Sequence, residues 1–172
     1  EVISSLRPAS LDTLGLVATL RYEMDELRDQ TGWQIEFDAD QVRFPKTVET
    51  TLYRIIREAI TNVTKHARAT HLSIRIKQVD ERVVVEIQDD GVGFDFGASE
   101  CDAHRKGVGL LSMRKRAELL SGLFHLASTP ERGTLVHVEV PLPAITVQAT
   151  AMMPADSFSA HGRTPEHVQT PD

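Results

Sequence analysis

Between Pro45 and Ala67 the apolar residues Val48, Leu52, Ile55, Ile56, Ala59, Ile60 and Val63 recur at steps that an α-helix gathers into one continuous face. A face of that length needs an apolar layer to bury it, and Pro45 suits the first turn of such a helix. Two β-rich runs follow, Leu72 to Val79 and Arg82 to Gln88, joined by the polar pair Asp80-Glu81, which reads as a hairpin. Upstream, Leu11, Leu14, Val17, Ala18, Leu20, Met24 and Leu27 predict a helix from Ser10 to Gln30, with Ser10 or Asp12 as N-cap and Gly32 as its close. Trp33, Ile35 and Phe37 then alternate with polar residues as a half-buried strand does. Downstream, Leu110 to Ser121 returns to helical spacing and Gly122 ends it; Leu123 to Ser128 and Thr134 to Val140 read as strands. The order predicts an α/β fold, a two-layer sandwich of one mixed sheet with helices on one face. A length of 172 residues suits one core and is short for two ordinary domains.

A net charge of -6 disfavours a nucleic-acid partner held by a general basic field. The single cysteine, Cys101, excludes an intrachain disulfide framework, and no paired Cys/His spacing suggests structural zinc; a reducing, cytoplasmic setting is the expectation. No apolar run reaches the roughly 20 residues that span a bilayer, and the first residues lack a signal peptide's order. The chain reads as a segment of a longer parent, which could be membrane-anchored through other segments. After Pro141 the helical and strand periods both stop, and residues 143–172 read as a disordered tail.

Four stretches carry groups suited to chemistry. In Arg57-Glu58-Ala59-Ile60-Thr61-Asn62-Val63-Thr64-Lys65-His66-Ala67, the residues Glu58, Asn62 and His66 stand four apart on one helical stripe beside Lys65. A carboxylate, a carboxamide and a base on one line can hold a hydrated magnesium ion and the phosphates it bridges. A solvated helix face with incidental polar residues accounts for the same spacing. In Asp89-Asp90-Gly91-Val92-Gly93, Asp89 at a strand end can present its carboxylate to an exocyclic amine while Gly91 and Gly93 leave room for a flat ring. A glycine turn whose amides are satisfied by aspartates accounts for it equally. The stretch from Asp89 to Gly109 breaks both periods, reads as a long loop, and ends in Gly107-Val108-Gly109-Leu110 running into a helix, a seat for phosphate with Arg105 and Lys106 adjacent. Arg132-Gly133-Thr134 opens the last strand and reads first as a hairpin entry.

Taken in order, REAITNVTKHA, DDGVGFD, GVGLLSMRKRA and ERGTLVHVEVPL resemble the successive nucleotide-site boxes of the GHKL ATPase superfamily (gyrase, Hsp90, histidine kinase, MutL), from about Thr47 to Leu142. The upstream LRPASLDTLGLVATL resembles the end of the dimerisation segment in sensor histidine kinases that pair with NarL/LuxR-type response regulators. The resemblance implies a Bergerat fold: residues 1–31 the end of a dimerisation helix, 32–142 an ATP-binding catalytic domain, and a tail beyond. It implies that Asn62 ligates magnesium with Glu58 beside it as a metal-shell or base residue. Lys65 and His66 would approach phosphate and ribose, Asp89 would accept from the adenine amine, Gly107 and Gly109 would hinge a lid, and Thr134 would support the adenine pocket. ATP and Mg2+ are the implied cofactors. The implied partners are the phosphoacceptor helix of a homodimer and a response regulator with a NarL/LuxR-type output domain.

The acceptor histidine belongs to an earlier helix in that family, and nothing before Ser10 matches its motif. The seven histidines, His66, His71, His104, His125, His137, His161 and His167, stand in other contexts, so transfer is expected to a histidine outside this chain. Two other functions fit the residues: a non-catalytic nucleotide-binding or protein-interaction module, and a serine kinase of the anti-sigma type, against which the LRPASLDTLGL run argues.

Overall fold

The computed structural model describes residues 8–95 and 100–142, with backbone alone for 100–107; the expected tail at 143–172 lies outside the described residues. The elements are α1 (Ala9–Thr13), α2 (Leu16–Thr31), β1 (Gln34–Ala39), α3 (Lys46–Asn62), a π-helical turn (Val63–Ala67), β2 (His71–Val79), β3 (Arg82–Asp89), α4 (Glu100–Leu119), β4 (Leu123–Ser128) and β5 (Thr134–Pro141). The five strands form one mixed sheet in the order β1-β2-β3-β5-β4, with β1 and β2 parallel and the other pairs antiparallel. The expected α/β architecture is present.

Strand alternation divides the sheet into two unlike faces. Leu72, Ile74 and Ile76 of β2, Val83, Val85 and Ile87 of β3, and Val136, Val138 and Val140 of β5 are buried beneath the helices. The intervening positions carry charge and pair across strands: Lys77 Nζ lies 2.7 Å from Asp38, Arg75 3.1 Å from Glu86, and His137 bridges Glu86 and Glu139 at 3.3 and 3.1 Å. Antiparallel pairs can leave such a face to solvent, and here the charged side chains on it are half-buried to exposed.

The expected single helix from Ser10 to Gln30 is broken in two, and neither Ser10 nor Asp12 caps it. Pro8 is the N-cap of α1, and Gly15 separates α1 from α2 at φ 85°, a conformation costly to any residue with a β-carbon. The Arg43 side chain lies across that glycine, where a β-carbon would stand 2.7 Å from Nε. Arg43 also reaches Glu49, which is buried at the start of α3 and accepts from the Phe44 amide at 3.2 Å. A clasp of Gly15, Arg43 and Glu49 thus fixes how α2 meets α3. Leu11, Leu16, Leu20 and Met24 share one buried core with Leu52, Ile55 and Ile56, so the division expected at residue 31 coincides with no break in packing. Gly32 closes α2 as expected, its amide donating to the Arg28 carbonyl at 2.9 Å.

Three further expectations are corrected. Pro45 is the N-cap of α3 and not a residue of its first turn. The helix expected to run unbroken to Ala67 loosens after Asn62 into a π turn, which changes the angular step between successive side chains. The loop expected from Asp89 to Gly109 ends at Glu100, where α4 begins, so Gly107 and Gly109 are inside a helix and Gly107 does not open one. Each glycine costs about 1 kcal/mol in a helix interior, and the surrounding helix formers, Ala103, Arg105, Lys106, Leu110 and Leu111, carry the helix through.

Candidate functional site

One part of the site is built between α3 and α4. Glu58 and Asn62 stand one turn apart on α3, both half-buried, and both face Gly109. A β-carbon on Gly109 would overlap Glu58 Oε1 and lie 3.6 Å from Asn62 Nδ2. No hydrogen bond or ion pair engages either side chain among the described residues, so a carboxylate and a carboxamide oxygen remain for a ligand. Lys65 and His66 lie on the π turn and are exposed. Val108 points to solvent at 75% exposure, and Leu110 packs against the core. For Arg105, Lys106 and Gly107 the side-chain positions lie outside the described residues. Among the described residues, no three His, Cys, Asp or Glu side chains cluster as a metal cage.

The other part lies at the open end of β3. Asp89 is 5% exposed, and its Oδ1 accepts from the Gly91 amide at 2.8 Å. Burial pushes its carboxyl above the usual range, against the pull of the Gly91 and Thr134 amides, and the neighbouring Asp90 charge adds to the rise. Asp90 does different work. Its Oδ1 accepts from the Thr70 and His71 amides, both at 2.8 Å, and its Oδ2 accepts from the Thr70 hydroxyl at 2.8 Å. Burial works to raise the Asp90 carboxyl, but these donors together hold it below its ordinary value. Both aspartates thus accept from backbone amides: Asp90 braces the chain entering β2, and Asp89 is buried at the end of β3 with Oδ1 bonded to the Gly91 turn.

Backbone approach explains the glycines of this turn. A β-carbon on Gly91 would overlap the Ala67 carbonyl, and one on Gly93 would overlap the Thr129 carbonyl. The Val92 amide donates to the Ala67 carbonyl at 2.7 Å, and the Glu131 amide donates to the Val92 carbonyl at 2.8 Å. The π turn, the Asp-Gly loop and the turn before β5 are thus laced together, which joins the α3 cluster to the Asp89 cluster. Thr134 is the register partner of Asp89 on β5, and Ser128 is the partner of Thr134 on β4. Asp89, Thr134 and Ser128 form one row across three strands on the same face of the sheet. Sequence reasoning missed Ser128 and gave Asp90 no separate role. Alternation along β4 marks the face of Ser128, but only the strand order β3-β5-β4 puts it in this row.

Residues 47–144 match the family described as histidine kinase-, DNA gyrase B- and HSP90-like ATPase. Over 82% of its length the chain is 39% identical to an uncharacterized sensor-like histidine kinase of Chloroflexus aurantiacus, of which it covers 25%. It is 32% identical to the signal transduction histidine-protein kinase/phosphatase DegS of Brevibacillus brevis, covering 83% of this chain and 36% of DegS. It is 34% identical to the oxygen sensor histidine kinase NreB of Staphylococcus carnosus, covering 80% of this chain and 39% of NreB. The chain therefore spans well under half the length of these relatives. Among solved structures, the histidine kinase domain of the Erythrobacter litoralis EL346 blue-light activated histidine kinase superposes with a TM-score of 0.61 at 19% identity, over 73% of this chain and 59% of that one. Acinetobacter baumannii AdeS superposes with a TM-score of 0.58 at 17% identity, over 76% and 64%. At such identities the superpositions speak for the fold.

Proposed function

From the premise that this chain belongs to the histidine kinase-, DNA gyrase B- and HSP90-like ATPase family, we propose that it is the ATP-binding catalytic domain of a two-component sensor histidine kinase. The parent would transfer the γ-phosphoryl group of Mg-ATP to a histidine of its own dimerisation helix, for relay to a response regulator of NarL/LuxR type. The single observation that carries the reading is Asp89: a buried carboxylate at the end of β3, bonded to the Gly91 amide and in register with Thr134.

Each residue has a part in this proposal. Asp89 accepts from the amine at C6 of adenine, Gly91 and Gly93 leave room for the ring, and Thr134 lines the same end of the pocket. Asn62 and Glu58 offer hard oxygen donors, which suit magnesium, and two protein ligands are what an ion sharing its shell with phosphates and water requires. Magnesium, when bound, would neutralise charge on the phosphates during transfer. Lys65 and His66 meet phosphate or ribose from the π turn, and Arg105 and Lys106 supply positive charge along α4. Gly107, Val108, Gly109 and Leu110 form the segment that must lift from Glu58 to admit a triphosphate. A histidine imidazole nitrogen from the dimerisation helix attacks the γ-phosphorus, ADP leaves, and the domain's contribution is positioning and charge.

Calorimetry with ADP, with and without magnesium, tests the reading. Binding in the micromolar to millimolar range is expected, tighter with magnesium and weakened about tenfold to a hundredfold in Asp89→Asn. No heat and no shift in melting temperature at millimolar nucleotide would remove it. Incubated with labelled ATP, the chain alone is expected to form no acid-labile phosphohistidine. Label should appear only when a dimerisation domain bearing the acceptor is added.

A further inference from the structure

Ser128 stands at the end of the row that begins with Asp89, and its hydroxyl is fully committed. The oxygen accepts from the Phe94 amide at 3.0 Å, donates to the Gly133 carbonyl at 3.1 Å, and lies 3.0 Å from the Thr134 hydroxyl. A serine hydroxyl has one proton and two lone pairs. The carbonyl of Gly133 can only accept, so the Ser128 proton belongs there. The contact with Thr134 is then a hydrogen bond only if Thr134 donates. All three contacts are satisfied by that single assignment of protons, and any other leaves two oxygens facing each other without a proton between them.

Thr134 pairs in register with Asp89 on one side and Ser128 on the other, and cross-strand neighbours of this kind have β-carbons about 5 Å apart. With its proton turned toward β4, the Thr134 oxygen has only lone pairs left for the Asp89 side. At this end of the row the Asp89 carboxylate and the Thr134 hydroxyl oxygen are acceptors, and the Gly91 and Thr134 amides beside them are spent on Asp89. Such a site suits a ring that carries an amine and repels one that carries a carbonyl at the same position.

We propose that Ser128 is a specificity-determining positioning residue: by fixing the direction of the Thr134 hydroxyl it makes the pocket favour adenine over 6-oxo purines. The inference rests on the nucleotide reading given above. It assigns Ser128 no contact with the nucleotide. Its role runs through Thr134, and through the Phe94 amide that ties the Asp-Gly loop to β4.

The test compares ADP with inosine diphosphate, which differs by a carbonyl in place of the C6 amine, by calorimetry on the full chain. Wild type should prefer ADP. In Ser128→Ala the Thr134 proton is free to turn toward the base and donate to a carbonyl, so the preference should narrow by about tenfold. Ser128→Thr keeps a hydroxyl and should keep the preference. In a Thr134→Val background, Ser128→Ala should cause no further narrowing, because the two residues act as one unit. Should Ser128→Ala not fold, Ser128→Cys, with its weak thiol donor, carries the same comparison. Equal loss of affinity for both nucleotides in the variant would reduce Ser128 to a structural brace and overturn the inference. Wild type that binds ADP with an unaltered ratio in the variant overturns this inference alone; wild type that binds neither nucleotide overturns the nucleotide reading on which it rests.

Discussion

Gly109 of α4 is in direct apposition to Glu58 of α3: a β-carbon added to the glycine would overlap the Oε1 atom of the glutamate. The helix that carries Gly109 thereby covers the two free oxygen donors of α3. A ligand held by Glu58 and Asn62 would lie beside Gly109.

Gly109→Ala is expected to separate stability from binding. Gly109 lies in a helix at an ordinary φ, so alanine gains helix propensity, about 0.5–1 kcal/mol. The atom it meets is the far end of a flexible side chain, which can rotate away at small cost. Melting temperature without ligand should therefore rise or hold, while the displaced Glu58 carboxylate weakens magnesium-dependent ADP binding by about tenfold. Calorimetry with and without magnesium on the variant checks this, and unaltered magnesium dependence would show that Glu58 takes no part in metal binding.

The adjacent aspartates should respond oppositely to neutralisation. The folded-state value of Asp89 is raised, so its contribution to stability is present in acid and lost as pH rises through that raised value. Asp89→Asn should accordingly leave the ligand-free protein as stable or more so at neutral pH, while ADP affinity falls about tenfold to a hundredfold. The folded-state value of Asp90 is lowered, so its contribution is present above its unfolded value and lost as pH falls through the folded one. Asp90→Asn should lower stability at neutral pH by about 1 kcal/mol, a figure already discounted for solvent around this exposed group. The difference from wild type should vanish in acid. Melting curves of the three proteins from pH 7 to about pH 3 resolve the two signs.

Leu20→Ala tests the unity of the core. Leu20 is fully buried between α2 and the helices and strands that carry the site. Removal of its side chain should cost about 2–5 kcal/mol and lower a single, cooperative melting transition. A loss below about 1 kcal/mol, or a separate early transition, would show that α2 is an appendage to the domain.

Much of the fold was legible because it rests on local periodicity. The α3 face, the β2–β3 hairpin, the alternation in β5 and the close of α2 at Gly32 each follow from spacing and chain stereochemistry within a few residues. The misreadings lie where a distant residue decides the local conformation. The helix break at Gly15 is held by Arg43 and Glu49, and nothing near Gly15 in the chain announces them. The course of α4 through Gly107 and Gly109 defeated a reading that took glycines as breaks.

By itself the sequence determined which residue types stand at each box, the α/β order, and that Glu58 and Asn62 share a helical stripe, since one helix sets that geometry with no help from the rest of the chain. Tertiary structure alone decided that Gly109 covers that stripe, that Asp89 is buried while Asp90 binds the Thr70 and His71 amides, and that Ser128 completes a row with Asp89 and Thr134. The physical reason is that burial and cross-strand register depend on strand order and helix packing, which join residues far apart in the chain. A carboxylate's protonation and a hydroxyl's direction are set by those neighbours, and not by the residues on either side.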